Sequence, residues 1–269
     1  MRSIETGTYF GRLPYAKVGN GENPILVING GQSFMMKAGT SRVAKDTRRV
    51  ARILPDNRSF VLLGYDPDSV NVTLERLAAD VAMVIEEHFT GRVDIVGISY
   101  GGVVASHLAV SYPQRIAKLV LVASAHRFSG EGRKRLERQI ELANAARFND
   151  LLSEFTSMFR SRWLNMLVNC QVRLAGGRLV RRLAKPGVIV RHLEAMLSSP
   201  LAVSELRSIS TEILIVVGNR DQFFGEATEE AATGIPTARL SMFEGETHML
   251  PIERARDVKR CVSDFMARG

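Results

Sequence analysis

A chain of 269 residues is long enough for one large core, or for a core carrying a modest insertion. Hydrophobic residues make up 45% and charged residues 24%, the ordinary balance of a globular protein rather than a disordered or fibrous one. The two cysteines, Cys170 and Cys261, lie far apart and form no CxxC pair, so a disulfide framework and a cysteine-based zinc site are both unsupported, and two ordinary thiols in a reducing compartment are expected.

No apolar stretch approaches the roughly 20 residues that cross a bilayer, so stable membrane insertion is not expected. The N-terminal "MRSIETGTYFGR" has no apolar h-region, and the expectation is a cytoplasmic protein. The net charge of +8 is unevenly placed. Residues 128–204 hold 13 lysines and arginines against 6 acidic residues, an excess of 7. An anionic substrate or a membrane surface could use that excess, and so could nothing at all if it is a solvated helical face. Zinc-finger spacing, RNP-like motifs and basic-aromatic interleaving are missing, so nucleic acid is not expected as a partner.

In chain order, "GTYFGRLPYAKVGNGEN" alternates loosely and ends in Gly19-Asn20-Gly21, which reads as a strand pair with turn chemistry. Short continuous apolar runs follow at 24–30, 59–66, 92–99, 117–124 and 212–219. Runs of this length and β-branched content suit strands buried on both faces of a parallel sheet. Between them, 40–54, 73–89, 100–113 and 252–268 place apolar residues at three- and four-residue spacing, as helices do. Thr73 is a candidate N-cap, and Pro113 a helix stop. Strand and helix alternate, so the fold class is α/β, with a mainly parallel sheet covered on both sides.

The alternation breaks between 128 and 204. That segment reads as several helices, "EGRKRLERQIELANAARF", "DLLSEFTSMFRSRWLNMLVNC" and "VIVRHLEAML", punctuated by Gly176-Gly177 and Pro186-Gly187. Ligands bind at the carboxyl ends of the strands in open α/β sheets. The helical insertion is therefore expected to cap that edge, dividing the chain into a core of 1–127 and 205–269 and a cap of 128–204.

One motif stands at that edge. In "VGISYGG", Gly97 and Gly101 bracket Ser99 as G-x-S-x-G where a strand turns into a helix. Small residues at those two positions let strand and helix approach around a sharp turn that projects the serine hydroxyl. The N–H of Tyr100, at the helix start, lacks an intrahelical acceptor and can donate to a developing oxyanion. Serine at neutral pH needs a base. Of five histidines, His107 lies along the helix behind Ser99, His88 near an exposed helix end, and His192 in the cap. His126 stands at a plausible pocket rim. His248, in "FEGETHML", lies on a loop at the same sheet edge as Ser99 and is the favoured base. Asp221, in "IVVGNRDQFF", follows the strand at 212–219 and can orient that histidine, although it could also serve as a helix N-cap.

Together, Asn29-Gly30-Gly31 after the third strand, "GISYGG", "GNRD" and "GETH" resemble the α/β-hydrolase superfamily, with a helical cap inserted after the sixth strand. The resemblance covers nearly the whole chain. It implies an eight-stranded, mainly parallel sheet flanked by helices. It also implies Ser99 as nucleophile, His248 as base, Asp221 as acid, and the backbone N–H groups of Gly31 and Tyr100 as the oxyanion hole. Two departures stand out: Asn29-Gly30 replaces the His-Gly of many relatives, and Gly64-Tyr65-Asp66-Pro67 replaces an Arg-Gly-His-Gly type turn.

The expected reaction is hydrolysis of an ester or thioester through an acyl-enzyme, with no metal and no organic cofactor. The same triad serves amide, lactone and carbon–carbon hydrolysis. Lyases, acyltransferases and ligand receptors share the superfamily, and a membrane-surface role for the basic cap is a further possibility. The pocket is expected to be largely apolar, lined by Gln32, Phe34, Met35 and Phe223 from the core and by Phe159 and Trp163 from the cap. In the cap, Phe155, Met158, Phe159, Trp163 and Met166 recur at helical spacing, a stripe that could equally glue cap to core. Arg160 and Arg162 are candidates to meet an acidic head group. The expected partner is a small-molecule substrate, with the protein a monomer or homodimer.

Overall fold

The computed structural model describes residues 3–37 and 39–268, with the backbone alone at 40 and 41. The chain opens with strands β1 (Ile4–Tyr9), β2 (Leu13–Val18) and β3 (Ile25–Ile28), then helices α1 (Gln32–Met35) and α2 (Thr40–Ala51). Strand β4 (Phe60–Leu63), helix α3 (Leu74–His88), strand β5 (Val93–Ile98), helix α4 (Tyr100–Ser111) and strand β6 (Ile116–Val122) follow. Five helices come next: α5 (Gly130–Asn144), α6 (Phe148–Glu154), α7 (Arg162–Val180), α8 (Pro186–Leu197) and α9 (Val203–Ser208). The chain closes with β7 (Glu212–Gly218), α10 (Gly225–Gly234), β8 (Ala238–Phe243), α11 (Leu250–Glu253) and α12 (Ala255–Ala267).

All eight strands form one sheet in the order β1-β2-β4-β3-β5-β6-β7-β8. The β1–β2 and β2–β4 pairs are antiparallel, and every later pair is parallel. The continuous apolar runs follow from burial on both faces. Along β3, Leu26 and Ile28 enter one apolar cluster while Ile25 and Val27 enter the other. Strand β6 divides the same way, Leu119 and Leu121 against Val120 and Val122. Successive side chains point to opposite faces, so a strand covered on both sides has no place for a polar residue. Helices α3, α4 and α10 cover the first face, and α2 and α12 the second. Each fully buried Val, Leu or Ile contributes about 1.5–3 kcal/mol relative to exposure.

Parallel register brings the strand ends together. Gly97 pairs with both Ile28 and Leu121, and Val122 with Val216. The ladder continues one residue further: Ser99 N–H donates to Val122 O at 3.0 Å, and Ala123 N–H to Val216 O at 2.8 Å.

Thr73 caps α3 as its side chain allows, its Oγ1 accepting from Arg76 N–H at 3.2 Å. The cap departs from its reading as a sequence. The run 150–170 is two helices, not one. A 3₁₀ turn at Phe155–Ser157 ends the first, and Ser161 caps the second by accepting from Leu164 N–H at 3.4 Å. Between them, Asn165 holds both backbone groups of Phe159, accepting its N–H at 2.9 Å and donating to its O at 3.0 Å. Gly176-Gly177 does not interrupt α7. A Cβ at Gly176 would lie 2.5 Å from Asn149 Oδ1, so this glycine is there for close packing on α6. Helix α9 already packs on α4 and α10, so the chain is back on the core by Val203.

Candidate active site

Ser99 sits between β5 and α4 with φ 51° and ψ −121°, a backbone conformation that is strained for any residue with a Cβ. The glycines around it are a steric requirement. A Cβ at Gly97 would lie 2.5 Å from Gly102 Cα, and one at Gly101 would lie 2.2 Å from Ile28 O. Ser124 adds a fastening that no sequence pattern points to. Its Oγ–H donates to Ser99 O at 2.6 Å.

His248 occupies the loop between β8 and α11. Its Nε2 is 3.0 Å from Ser99 Oγ, and its Nδ1 is 2.9 Å from Asp221 Oδ2. Asp221 is buried, and its Oδ1 also accepts the N–H groups of Phe223 at 2.8 Å and Phe224 at 3.2 Å. A carboxylate can only accept hydrogen bonds. The His248 proton therefore belongs on Nδ1, leaving Nε2 free to accept from Ser99 Oγ–H. Asp221 thus holds a local turn and also lies within hydrogen-bond distance of His248. Gln222 Oε1 accepts His248 N–H at 3.2 Å, and the Phe223 ring stands 4.9 Å from the imidazole. Gly218 lets the two loops meet, since a Cβ there would lie 2.2 Å from Glu246 O.

The loop after β3 lies against the same turn. Tyr65 donates its hydroxyl to Asn29 O at 2.6 Å, Asn29 N–H donates to Leu63 O at 3.1 Å, and Asn29 Oδ1 accepts Gly30 N–H at 2.9 Å. Asn29 thereby fixes the loop from inside. Tyr65, in the second unusual turn, fixes it from β4. Gly31 and Tyr100 both border the space in front of Ser99.

That space is a cavity of about 160 Å³, open to solvent on one side. Phe34, Met35, Phe223 and Met249 line it from the core, and Phe128, Leu136, Phe155, Met158, Leu193 and Met196 from the cap. Of the residues named from the sequence, Gln32, Phe34, Met35 and Phe223 stand at the cavity. Phe159 does not: it is half-buried beside the core cluster and does not reach the cavity. Trp163 is further off, 64% exposed on α7. The break at 155–161 is the reason, because it turns the stripe before Phe159 and Trp163 can follow Phe155 and Met158 inward. Arg160 does not offer itself to a head group either; it donates to the buried Glu246 at 3.0 Å, tying the cap to the His248 loop.

Three polar lining residues escape sequence reasoning: Asp46, Arg49 and Gln139. Asp46 accepts from Arg42 at 2.7 Å and lies 3.9 Å from Arg49, while Arg49 donates to Gln32 Oε1 at 3.3 Å. The signal that could have found Asp46 and Arg49 is the polar face of α2, the second helix after the Asn29-Gly30-Gly31 loop.

The other histidines lie outside the cavity lining. His126 is fully buried rather than at a rim, and burial depresses its pKa to about 4. His192 is buried in a ring cluster, 4.5 Å from Phe34 and stacked on it, and burial lowers its pKa to about 3. His107 is buried and also shifted down by desolvation. Burial raises the Tyr65 and Tyr100 hydroxyls, so both stay protonated as donors or packing groups. No group of three or more His, Cys, Asp or Glu among the described residues could hold a metal ion.

A sequence profile described as the alpha/beta hydrolase family matches residues 25–260. The chain belongs to that family. A Bacillus subtilis relative, provisionally named a 2-succinyl-6-hydroxy-2,4-cyclohexadiene-1-carboxylate synthase, is 27% identical over 80% of this chain and 82% of its own length. A 2-hydroxy-6-oxo-2,4-heptadienoate hydrolase of Pseudomonas putida is 26% identical over 91% of this chain and 89% of its own. An alpha/beta hydrolase enzyme from a deep-sea metagenome superposes with a TM-score of 0.78 at 19% identity, covering 98% of each chain, a likeness of fold. No described helix is long and apolar enough to cross a membrane.

Proposed function

We propose that this alpha/beta hydrolase cleaves an ester or thioester of a small, largely apolar substrate through an acyl-enzyme on Ser99. The observation that carries the reading is the continuous hydrogen-bond chain from Ser99 Oγ through His248 to Asp221, opening into an apolar cavity that Gly31 and Tyr100 also line.

Ser99 Oγ attacks the carbonyl carbon while its proton passes to His248 Nε2, and the carbonyl π electrons move onto oxygen. The N–H groups of Gly31 and Tyr100 bind that oxyanion, each donor worth about 3–4 kcal/mol where one has been removed elsewhere. Asp221 stabilises the imidazolium. The oxyanion collapses, the C–O or C–S bond breaks, and the leaving group takes the proton from His248. Water then attacks the acyl-enzyme with His248 as base and frees the acid. No metal and no organic cofactor enters these steps.

A second reading is favoured by one comparison. The substrate named for the Pseudomonas putida relative is an open-chain hydroxy-oxo dienoate with neither ester nor amide, so water must there break a carbon–carbon bond. The same serine, base and donors serve that bond if the carbon leaving group is stabilised.

The test uses a fluorophosphonate probe, a panel of aryl esters and thioesters, and a hydroxy-oxo dienoate, in water enriched in oxygen-18. Expected are labelling at Ser99, ester turnover and isotope in the released acid, all falling by about 10⁴-fold or more in Ser99→Ala and His248→Ala. Dienoate cleavage without ester turnover would select the second reading. Absence of labelling and of any turnover would sink both.

A further inference from the structure

Among the described residues, exposed apolar side chains concentrate on α7. Its inner face packs on α6 and on the turn at 155–157. On its outer face Trp163, Met166, Leu167, Cys170 and Leu174 recur at three- and four-residue steps, forming one stripe. Trp163 is 64% exposed, Met166 59% and Leu174 89%, a concentration of solvent-facing apolar side chains unlike the rest of the molecule. Contiguous exposed apolar surface marks an interaction site.

Charge says what kind. From Phe155 to Leu193 the sequence has eight lysines and arginines and not one Asp or Glu. Arg160, Lys185 and Arg191 are used inside the fold, on Glu246, Asp68 and Ser69 O. The guanidinium groups of Arg162, Arg173, Arg178, Arg181 and Arg182 are exposed and form no ion pair with a carboxylate among the described residues. At 100° per residue, Arg162 and Arg173 edge the stripe on one side and Arg178 on the other, with Arg181 extending it.

We propose that the outer face of α7 is a docking surface for an anionic phospholipid bilayer, on which the cap lies flat. Trp and Leu on one face, with arginines along the edges, is the arrangement of a helix seated at the headgroup boundary. The arginine stems cover apolar surface while their heads meet lipid phosphates. A second copy of the chain is disfavoured as the occupant, because a two-fold contact would set this unpaired basic face against itself. An acidic protein would have to match this particular spacing of arginines along an apolar stripe. A fluid anionic surface needs no register. Docking would also bring the cavity wall at Phe155 and Met158 close to a reservoir of apolar substrates.

Trp163 is the only tryptophan, so its fluorescence reports on this face directly. The full-length protein is mixed with vesicles of phosphatidylcholine containing about a third phosphatidylglycerol, then sedimented, at about 0.1 and 0.5 M salt. Expected are co-sedimentation and a blue shift of Trp163 emission, weakened about tenfold or more by the higher salt and lost on pure phosphatidylcholine. Leu174→Glu and the double variant Arg173→Glu/Arg178→Glu should each lower the partition coefficient at least tenfold. Because these side chains are exposed, the melting temperature and turnover of a soluble ester should stay at wild-type levels. Three outcomes would overturn the proposal: no binding to anionic vesicles, equal binding to neutral ones, or a dimer by light scattering that Leu174→Glu dissolves while vesicles leave Trp163 unshifted.

Discussion

Ser99 and His248 are 149 positions apart in the chain and meet at 3.0 Å. Met158 and Trp163 are near neighbours on the chain, yet Met158 lines the cavity and Trp163 faces solvent. At the sheet edge, remote positions are brought together by parallel register, which leaves little choice about where a strand ends. In the cap, nearby positions are separated by one helix break that depends on Asn165 and Ser161. The two regions use the same residue types under different constraints, one enforced by backbone ladders and the other by side-chain packing.

The contrast can be tested first through glycines. Gly101→Ala would drive a Cβ against Ile28 O, with backbone on both sides and nowhere to yield. The expected result is a loss of about 4 kcal/mol or more, or failure to fold, measured by urea unfolding. A wild-type midpoint for that variant would mean that the elbow is looser than the geometry implies.

Acid comes next. His126 belongs to the core and His192 to the cap, and both are held neutral, with pKa values of about 4 and about 3 against an ordinary 6.5. Below about pH 6.5 the unfolded chain binds protons that the folded chain refuses, so stability falls as pH drops. Each should remove about 3 kcal/mol between pH 6.5 and pH 4. Melting curves across that range should flatten for His192→Phe, which keeps the ring against Phe34. An unchanged slope would show that His192 already protonates in the folded state.

A smaller effect separates the two halves of the cap stripe. Phe155→Ala should change kcat/KM on medium-chain esters by about tenfold, equivalent to about 1.4 kcal/mol. Trp163→Ala should leave kcat/KM on a soluble ester within about twofold. Equal losses would put Trp163 back at the cavity.

The smallest effect should have the opposite sign. Gly177 lies in α7, and a Cβ added there would meet nothing within 4 Å, so Gly177→Ala should stabilise the cap by about 0.5–1 kcal/mol in thermal unfolding. Gly176→Ala, which meets Asn149, should not.

Much of the core could be read in the sequence because its constraints are local. A strand buried on both faces must be continuously apolar, a tight strand-to-helix turn must have small neighbours, and a serine in that turn stands out. Order along the chain was enough to choose His248 over His126, although not to see that His126 is wholly enclosed. Ser124, Gln222 and Glu246 left no such mark: each acts on a backbone group or a loop that only folding brings within reach. In the cap, helical spacing indicated helices but not the bend between Glu154 and Arg162. Without the bend, Phe155 through Met166 read as one stripe.

The amino-acid sequence by itself determined the alternation of strands and helices, the glycines that permit the turn at Ser99, and the candidates for its base and acid, because each follows from local pattern or spacing. Only the tertiary structure decided that Oγ, Nε2 and Oδ2 fall on one hydrogen-bonded line, that Glu246 takes Arg160 away from the cavity, and that α7 presents tryptophan and arginine outward. Those outcomes depend on distances between segments remote in the chain, set by sheet register in the core and by a few side-chain contacts in the cap.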